Sequence, residues 1–501
     1  MSDRPNVLLF VTDDHAPWVL GCYGNSEVRS PTFDRLAREG VRFANAFTPC
    51  PVCSPGRACL MTGLTNSQVG IHDFLSWPYD EHDWLAGHAT LGEILSREGY
   101  VCGYSGKWHL AQNTRTPRGF SYFFSNTLRP AFGGTARPGS GYAHLGEREC
   151  VFNDELFILP GNFTTLATDY ALLFLEGTPG NRPFFLVVGY IATHSPYTGQ
   201  DPELVALYDD ATFRDIPEYK PHPWRQNEDF HQGPGYFRDD IVKWDYSWGR
   251  PRADAAYTRE DILIRHKNQY AAVTDIDRHI SRIYDRLHEM GRLDDTLIVY
   301  TSDHGLSLGN RGFWGKGNGT RPLNMYEISI RVPLIVRYPR QFQPGLVVER
   351  CVDHYDTFQT ICDLAGVSLA EHDPAGRAYP GRSYRALAMG QDVPDWRDTR
   401  YGEYGDLRMI RTPQFKLVKR YPAGPDDLFD LQNDPGEERN LAGLPEYAAI
   451  QASLLAELES WYAAHEDPAK SGLRVKELRP HNHLIEAWRD GVRESRGLQV
   501  Y

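Results

Sequence analysis

The chain has 501 residues, of which 41% are hydrophobic and 24% charged, and its formal net charge is −13. That size allows one large domain with a smaller one, and the acidic balance argues against nucleic acid or an anionic membrane as a partner. The apolar run at 7–11 is too short for a signal-peptide core, no stretch approaches a membrane span, and eight cysteines are too few for a disulfide framework, so we predict a cytoplasmic protein.

Over the first 375 residues, short apolar runs that stop at polar clusters alternate with helical patterns. The predicted strands are 7–12, 100–104, 184–191 and 297–302, and the predicted helices are 31–40, 91–99 and 259–290. Such an alternation indicates an α/β domain at 1–375, with a mostly parallel central sheet flanked by helices. Two stretches rich in glycine, proline and aromatic residues, 111–181 and 197–257, are expected to be irregular insertions that line a pocket.

The texture of the sequence changes after about residue 375. The stretches 408–421 and 426–441 have the pattern of short antiparallel strands with a turn, and 441–464 has the pattern of a helix. These patterns predict a smaller C-terminal α+β subdomain at 376–466, built on an antiparallel sheet. The polar remainder, 467–501, is expected to be an arm that docks elsewhere on the chain or on a second subunit of a homo-oligomer.

Pairs of residues that could bind a metal ion follow two of the predicted strands. Asp13 and Asp14 follow the first strand, and Asp303 and His304 follow the last. One such pair is ordinarily a helix cap or a solvated turn. Ligands of open parallel sheets bind outside the carboxyl ends of the strands, so two pairs placed there favour a divalent cation. Carboxylate oxygens suit Ca²⁺, whereas the imidazole leaves Mn²⁺ or Mg²⁺ open.

Three cysteines lie within ten residues in the segment PCPVCSPGRACLMTG. Cys50 and Cys53 form a C-x-x-C pair, which is compatible with a thiol redox module or with half of a zinc site, although the sequence has no second such pair. Pro55 suits the first turn of a helix, so Cys53 is expected at a helix N-terminus, whose field favours negative charge. Arg57 could fold back toward the same place, which predicts a centre for an oxyanion. We interpret Cys50 and Cys59 as packing residues.

Together with several further segments that follow in a characteristic order, these motifs resemble those of the type I sulfatases of the alkaline phosphatase superfamily. The segments that carry the resemblance are TDD at 12–14, CSPGRACLMTG at 53–63, GKWHL at 106–110, THSPY at 193–197, TSDHG at 301–305, WGKG at 314–317 and LFDLQNDPGEERNL at 428–441. The resemblance implies the alkaline phosphatase-like fold and hydrolysis of sulfate monoesters. It also implies that a formylglycine-generating enzyme oxidises Cys53 to formylglycine. Gly56 departs from the Ser or Ala more usual in the family, and His304 from the Asn of many members.

The resemblance further implies a role for each matching residue. The metal ligands would be Asp13, Asp14, Cys53, Asp303 and His304. Lys107 and Lys316 would hold the sulfate oxygens, and Arg57 would orient the nucleophile. His194, with Lys316, would protonate the leaving alcohol, and His109 would take the proton of the second hydroxyl of hydrated formylglycine. Lys107 and His109 are two residues apart, so in an extended segment they face the same side. His15, His72 and His88 receive no role.

Three functions therefore remain open at this point. The first is a sulfuric-ester hydrolase acting on a small sulfate ester, with Ca²⁺ as the expected cation. The second is a phosphonate monoester or phosphodiester hydrolase that uses the same formylglycine. The third is a C-x-x-C redox or zinc-binding module, which predicts that Cys50 matters as much as Cys53.

Overall fold

A computed structural model describes residues 4–127, 129, 147–194, 197–216, 244–245, 250–251, 259–310, 314–320 and 322–482 of the chain. The strands are β1 (Asn6–Thr12), β2 (Val41–Phe47), β3 (Val101–Gly106), β4 (Tyr122–Asn126), β5 (Glu147–Phe152), β6 (Glu155–Pro160), β7 (Phe184–Tyr190), β8 (Trp244–Asp245), β9 (Arg250–Pro251), β10 (Thr296–Ser302), β11 (Ser307–Leu308), β12 (Trp314–Gly315), β13 (Arg331–Arg337), β14 (Leu346–Asp353), β15 (Arg400–Tyr404), β16 (Leu407–Arg411), β17 (Phe415–Arg420) and β18 (Asp427–Asp430). The α-helices are α1 (Pro31–Glu39), α2 (Cys53–Thr62), α3 (Asn66–Val69), α4 (Leu91–Arg97), α5 (Phe163–Gly177), α6 (Pro202–Ala206), α7 (Arg259–Glu289), α8 (Glu327–Ile330), α9 (His354–Leu364), α10 (Leu369–His372), α11 (Arg385–Ala388) and α12 (Ala448–Ala464).

The main sheet has ten strands in the order β14-β2-β13-β10-β1-β7-β3-β4-β5-β6. Its pairings run parallel from β10 through β1, β7 and β3 to β4, and only β13 and β5 run against the rest. The predicted mostly parallel sheet is therefore confirmed. Strand β1 lies at its centre, with Thr12 paired to Ser302 of β10 and to Tyr190 of β7. The carboxyl ends of these three strands therefore lie side by side.

Alternate residues of β1 contribute to two separate apolar cores. Val7, Leu9 and Val11 face a core completed by α2, α4 and α9, whereas Leu8 and Phe10 face one completed by α1, α5 and α7. All five side chains are buried. Complete burial of such a side chain stabilises the fold by about 1.5–3 kcal/mol, so covering both faces with helices explains the continuous apolar run of the strand.

The C-terminal part forms a separate antiparallel sheet, β15-β16-β17-β18, against which α12 packs. Lys416 of β17 attaches this sheet to the main body: its fully buried ammonium donates to the Met325 carbonyl at 2.7 Å and forms ion pairs with Glu327 and Glu437. The predicted α+β character is confirmed, while the boundaries at 376 and 466 stay predictions. Among the helices of the described ranges, none combines the length and apolarity needed to cross a bilayer.

The first of the two expected insertions is more regular than its composition indicated. It contains α5 and the strands β4 to β6, which extend the main sheet to its edge. Its aromatic residues pack in pairs there, as where Phe124 stacks on Tyr170 with ring centroids 3.8 Å apart. Aromatic pairs therefore build a sheet edge rather than an irregular loop. The second insertion lies largely outside the described residues.

Candidate active site

The ends of the adjacent strands β1 and β10 bring the pairs Asp13-Asp14 and Asp303-His304 together. The Asp303 backbone N–H donates to the Thr12 carbonyl at 3.1 Å, which continues the β1–β10 register past the strands. Asp14 adopts a left-handed backbone with φ of 54°, and this turn directs it back over the sheet edge. All three aspartates and His304 are essentially inaccessible to solvent. Such a concentration of buried acids requires positive charge nearby.

Cys53 is the first residue of α2 and points into this cluster. Its Sγ lies 3.3 Å from Asp13 Oδ1, 3.4 Å from His304 Nε2 and 3.0 Å from Lys316 Nζ. Burial raises the pKa of the thiol, but Lys107, Lys316 and His304 outweigh burial and hold that pKa well below its usual range. The prediction that Cys53 opens a helix next to the strand ends is thus confirmed. Position 53 favours a negatively charged or polar nucleophile.

Cys50 and Cys59 have a different environment from Cys53. Cys50 belongs to an apolar cluster with Phe47 and Val52, and burial raises the pKa of its thiol well above the usual value. Cys59 donates to Asn66 Oδ1 at 2.8 Å. The cysteines are all free thiols. This packing role agrees with the sequence interpretation and does not support a paired redox or zinc module.

The donor atoms at this centre fit a divalent cation. Oxygen, sulfur and nitrogen atoms of Asp13, Asp14, Cys53 and His304 all lie within 4.8 Å of one another, as ligands with bonds of about 2.3–2.6 Å would. His304 Nδ1 donates to the Gly305 carbonyl at 2.8 Å, so Nε2 is left facing Asp14 Oδ1 at 3.1 Å. Two acceptors that face each other need a proton or a cation between them.

The charges around this centre lead to the same conclusion. Burial and Lys316 lower the pKa of His304, but Asp303 and Asp14 outweigh them and raise it to about 9. Burial, together with Asp13, raises the pKa of Asp303 to about 7. One oxygen of Asp303, Oδ1, is buried and has no hydrogen-bond partner among the described residues, although it lies 3.4 Å from His304 Nε2. The centre therefore attracts positive charge, and Asp303 has an oxygen available for a ligand.

Arg57 connects the cluster to the end of β3. Its Nε donates to Asp303 Oδ2 at 2.8 Å, and one Nη donates to the Lys107 carbonyl at 2.7 Å. The Tyr104 hydroxyl also donates to this carbonyl. The side chain is buried. Arg57 thus fixes the orientation of Asp303 and of the Lys107 backbone at the same time, which a lysine could not do.

Two buried lysines add positive charge to the centre. Lys107 Nζ forms an ion pair with Asp13 Oδ2, and Lys316 Nζ forms one with Asp14 Oδ1 and lies 3.1 Å from His304 Nε2. Burial and Cys53 raise the pKa of Asp13, but Lys107, His194 and Lys316 outweigh them and hold that pKa well below its usual range. Lys316 Nζ lies 3.0 Å from Cys53 Sγ, and the charge of Lys107 lowers the pKa of the same thiol, so both ammonium groups could act on an anionic substrate there.

His109 is held in one defined tautomer. Its Nε2 donates to the Leu75 carbonyl at 2.7 Å, because a carbonyl can only accept. Its backbone has a φ of 56°, and the backbone N–H donates to Asn113 Oδ1 at 3.0 Å. Burial and Lys107 lower the pKa of His109 to about 4, against an opposing hydrogen bond from Cys53. The imidazole is therefore neutral at pH 7, with the basic Nδ1 available to the centre.

His194 lies on the third strand end, after β7. It is half-buried, and the pKa of its imidazole is raised because Asp14 and Asp13 outweigh burial. The preceding residue, Thr193, donates its N–H to the Asp13 carbonyl and its hydroxyl to the carbonyls of Asp13 and Asp14. A half-buried imidazole whose pKa is raised by two neighbouring carboxylates is suited to donating a proton.

The structure therefore brings every predicted site residue together at the carboxyl ends of the central strands. Sequence reasoning missed the residues that hold them: Tyr104, Thr193, Leu75, Asn113 and Asp80. Asp80 Oδ2 accepts from Asn113 Nδ2 at 2.8 Å, so it supports His109 at one remove. Of these residues, only Thr193 lies in one of the quoted segments, THSPY at 193–197, so its hydroxyl could have been found from the sequence. Leu75 acts through its backbone, which leaves no signal in the sequence. His15, to which no role was assigned, is buried, and burial lowers its pKa to about 3.

Comparison with known proteins gives consistent matches over most of the chain. The Sulfatase family model matches residues 5–367, and the model described as N-sulphoglucosamine sulphohydrolase, C-terminal, matches 321–464. The N-acetylglucosamine-6-O-sulfatase of Bacteroides thetaiotaomicron is 28% identical over 93% of this chain and 88% of its own length. A multifunctional alkaline phosphatase superfamily protein of Trinickia caryophylli is 29% identical, over 93% and 96%. A solved structure in complex with its substrate D-glucosamine-2-N,6-O-disulfate superimposes with a TM-score of 0.73 at 25% identity, over 93% of this chain and 99% of that one.

Proposed function

The chain belongs to the sulfatase family and hydrolyses sulfate esters, and we propose that residue 53, once oxidised from cysteine to formylglycine, carries the nucleophile of this reaction. The observation that carries the proposal is the place of Cys53. Its Sγ lies 3.0–3.4 Å from Asp13, His304 and Lys316, inside the cluster of cation-binding groups. A hydrated aldehyde at this position would place a hydroxyl oxygen among the same groups.

We propose that one divalent cation, Ca²⁺ in the first instance, is held by Asp13, Asp14, Asp303, His304 and residue 53. Three carboxylates make an oxygen-rich site that suits Ca²⁺, while the imidazole keeps Mn²⁺ and Mg²⁺ as alternatives. When bound, such a cation lowers the pKa of a hydroxyl attached to it and neutralises negative charge on a sulfate group. Asp303 Oδ1, which has no hydrogen-bond partner among the described residues, and the position of His304 Nε2 support this assignment.

The remaining residues would act on the substrate and its protons. Lys107 and Lys316 would bind the sulfate oxygens, and Arg57 would keep Asp303 in place while charge develops. His194, whose pKa is raised because Asp14 and Asp13 outweigh burial, would donate a proton to the leaving alcohol oxygen. His109, neutral and with Nε2 occupied by Leu75, would accept through Nδ1 a proton from the side chain at position 53.

The substrate that we propose is a small sulfate ester. The similar structure solved with its substrate binds a sulfated glucosamine. A sulfated sugar is therefore one candidate substrate for this chain, alongside alkyl and aryl sulfates. A formylglycine-generating enzyme is the partner that the oxidation of Cys53 requires. That partner, a cytoplasmic location and a homo-oligomer formed through the arm stay predictions.

Two matched cysteine substitutions test the nucleophile. We expect Cys53→Ala to abolish hydrolysis of an aryl sulfate and Cys50→Ala to retain most of it, because Cys50 only packs. The mass of the peptide that contains residue 53 reports whether its thiol has become an aldehyde, with co-expression of a maturation enzyme as the control. Equal losses in the two variants would instead support a C-x-x-C module.

A second comparison separates sulfatase activity from the sibling activity. Aryl sulfate and aryl phosphonate monoester should be offered to the same mature enzyme under the same conditions. We expect a higher kcat/KM for the sulfate. A higher value for the phosphonate would reassign the chain to the alternative hydrolase while leaving the role of residue 53 unchanged.

A further inference from the structure

The C-terminal arm docks on its own chain, next to the candidate active site. Its described part, residues 467–482, lies along the segment 64–76. Asp467 donates its backbone N–H to the Ser67 carbonyl at 3.1 Å, and Gly472 donates to Ser67 Oγ at 2.9 Å. The arm is therefore a structural part of the domain that holds Cys53.

The last two described residues of the arm enclose Leu75 from both sides. The Ser76 backbone N–H donates to the His481 carbonyl at 3.1 Å. Asn482 Nδ2 donates to the Phe74 carbonyl at 3.0 Å and to Asp73 Oδ2 at 3.2 Å. His481 and Asn482 are both buried. The peptide groups before and after Leu75 are thus both bonded to the arm.

Leu75 in turn contacts two functional segments through its backbone. Its N–H donates to the hydroxyl of Ser54, the neighbour of Cys53, at 3.0 Å. Its carbonyl accepts from His109 Nε2 at 2.7 Å. The position of this carbonyl decides which nitrogen of His109 carries the proton and where the other nitrogen points.

We propose that His481 and Asn482 are positioning residues, which orient His109 for catalysis by fixing the Leu75 carbonyl. The inference rests on the role proposed above for His109. The hydrogen bonds described above connect both residues to the segment 73–76, through which they act. A shift of about 1 Å in a catalytic group lowers turnover by about a hundredfold, so removal of the Asn482 amide should reduce kcat about 10–100-fold and leave KM within about threefold.

The decisive variant is Asn482→Ala, with Lys476→Ala as the matched control. Lys476 belongs to the same arm, but its side chain is 59% exposed and lies 3.9 Å from Asp406, so we expect wild-type kcat and KM. Should Asn482→Ala fold poorly, Asn482→Leu keeps the branched shape of the side chain, lacks the amide donor and adds no charge beside Asp73. We expect the same selective fall in kcat from Asn482→Leu. Kinetics of the mature enzyme are measured well below the melting temperature of each variant.

A double-mutant cycle with His109→Gln distinguishes positioning from general loosening of the fold. If Asn482 acts through His109, Asn482→Ala should have less than about a threefold further effect on kcat in the His109→Gln background. Equal losses in both backgrounds, or a loss confined to KM, would overturn the inference. Full activity of His109→Gln itself would instead refute the proposed role of His109, so the two failures are separable.

Discussion

Gly56 lies where α2 packs against the cation-binding edge, and the substitution Gly56→Ala should disturb the centre without touching a ligand side chain. A Cβ on this residue would lie 2.5 Å from the Asp303 carbonyl oxygen, 3.1 Å from Thr48 Oγ1 and 3.2 Å from the Cys50 carbonyl oxygen. The closest neighbour is backbone, so no flexible side chain can swing aside. The helix and the Asp303 segment have to move apart.

The size of that movement follows from the contact distance. The 2.5 Å separation falls about 0.9 Å short of an ordinary contact. Overpacking of this kind costs about 1–3 kcal/mol, and metal sites tolerate ligand shifts of only about 0.2 Å. Loss of support around a ligand typically weakens metal binding by about 10–100-fold. We therefore expect the affinity for Ca²⁺ to fall by that factor.

Calorimetric titration of chelator-treated protein with CaCl₂ measures this affinity, and the activity recovered at saturating Ca²⁺ shows how much of the defect is binding. Gly177→Ala is the matched control: it ends α5, and a Cβ there meets no heavy atom within 4 Å in the described structure outside its own helix and chain neighbours. This control should bind Ca²⁺ as the wild type does. An unchanged affinity in Gly56→Ala would show that the 2.5 Å approach does not constrain Asp303, and the reasoning would be refuted.

Three further predictions concern charge. Lys416→Met should lower the free energy of unfolding by about 3–5 kcal/mol, because it removes a buried cation that pairs with Glu437 and with Glu327, which keeps its ion pair with Arg411 at 3.2 Å; denaturant titration measures this, and an unchanged free energy of unfolding would contradict it. Burial raises the pKa of Asp80 to about 6 from its usual 3.8, so the carboxyl stabilises the fold below pH 4 and loses that contribution as the pH rises through 6. Asp80→Asn should therefore raise the free energy of unfolding at pH 7.5 by up to about 3 kcal/mol, which thermal unfolding detects as a higher melting temperature. At pH 4 it should cause no such gain, and equal gains at both pH values would exclude this cause. Chelation of the metal should abolish hydrolysis. The apparent affinity for added Ca²⁺ should weaken as the pH falls from 9 to 6, because the metal has to displace a proton from His304. An affinity that does not change with pH would argue against His304 as a ligand.

The sequence was informative wherever function depends on side chains at the ends of strands. Apolar runs identified β1, β7 and β10, and the residues that follow them had to project from one edge if the sheet was parallel. Asp13, Asp14, Asp303 and His304 could therefore be grouped before the order of the strands was known. The order itself, with β1 between β10 and β7, follows from long-range packing that no local pattern reports.

Residues that act through their backbone or at long range could not be predicted in this way. Leu75 reads as an ordinary core residue, and only the folded chain shows that its carbonyl holds a histidine 34 positions later. Asn113 is recognisable only once His109 is seen to have a positive φ. The composition of 111–181 predicts an irregular insertion because aromatic residues and glycines mask the apolar pattern of α5 and its neighbouring strands.

The depth at which Cys53 lies has a consequence for biosynthesis. The residue is only 2% exposed, every residue of α2 is buried, and the arm that closes over the next segment joins His72 to His481, 409 residues further along the chain. If residue 53 becomes formylglycine as proposed, the oxidising enzyme has to reach this thiol before the chain has folded and residues 467–482 have docked. Oxidation and folding then compete in time, and slower translation or a cooler culture should increase the fraction of molecules that carry the aldehyde.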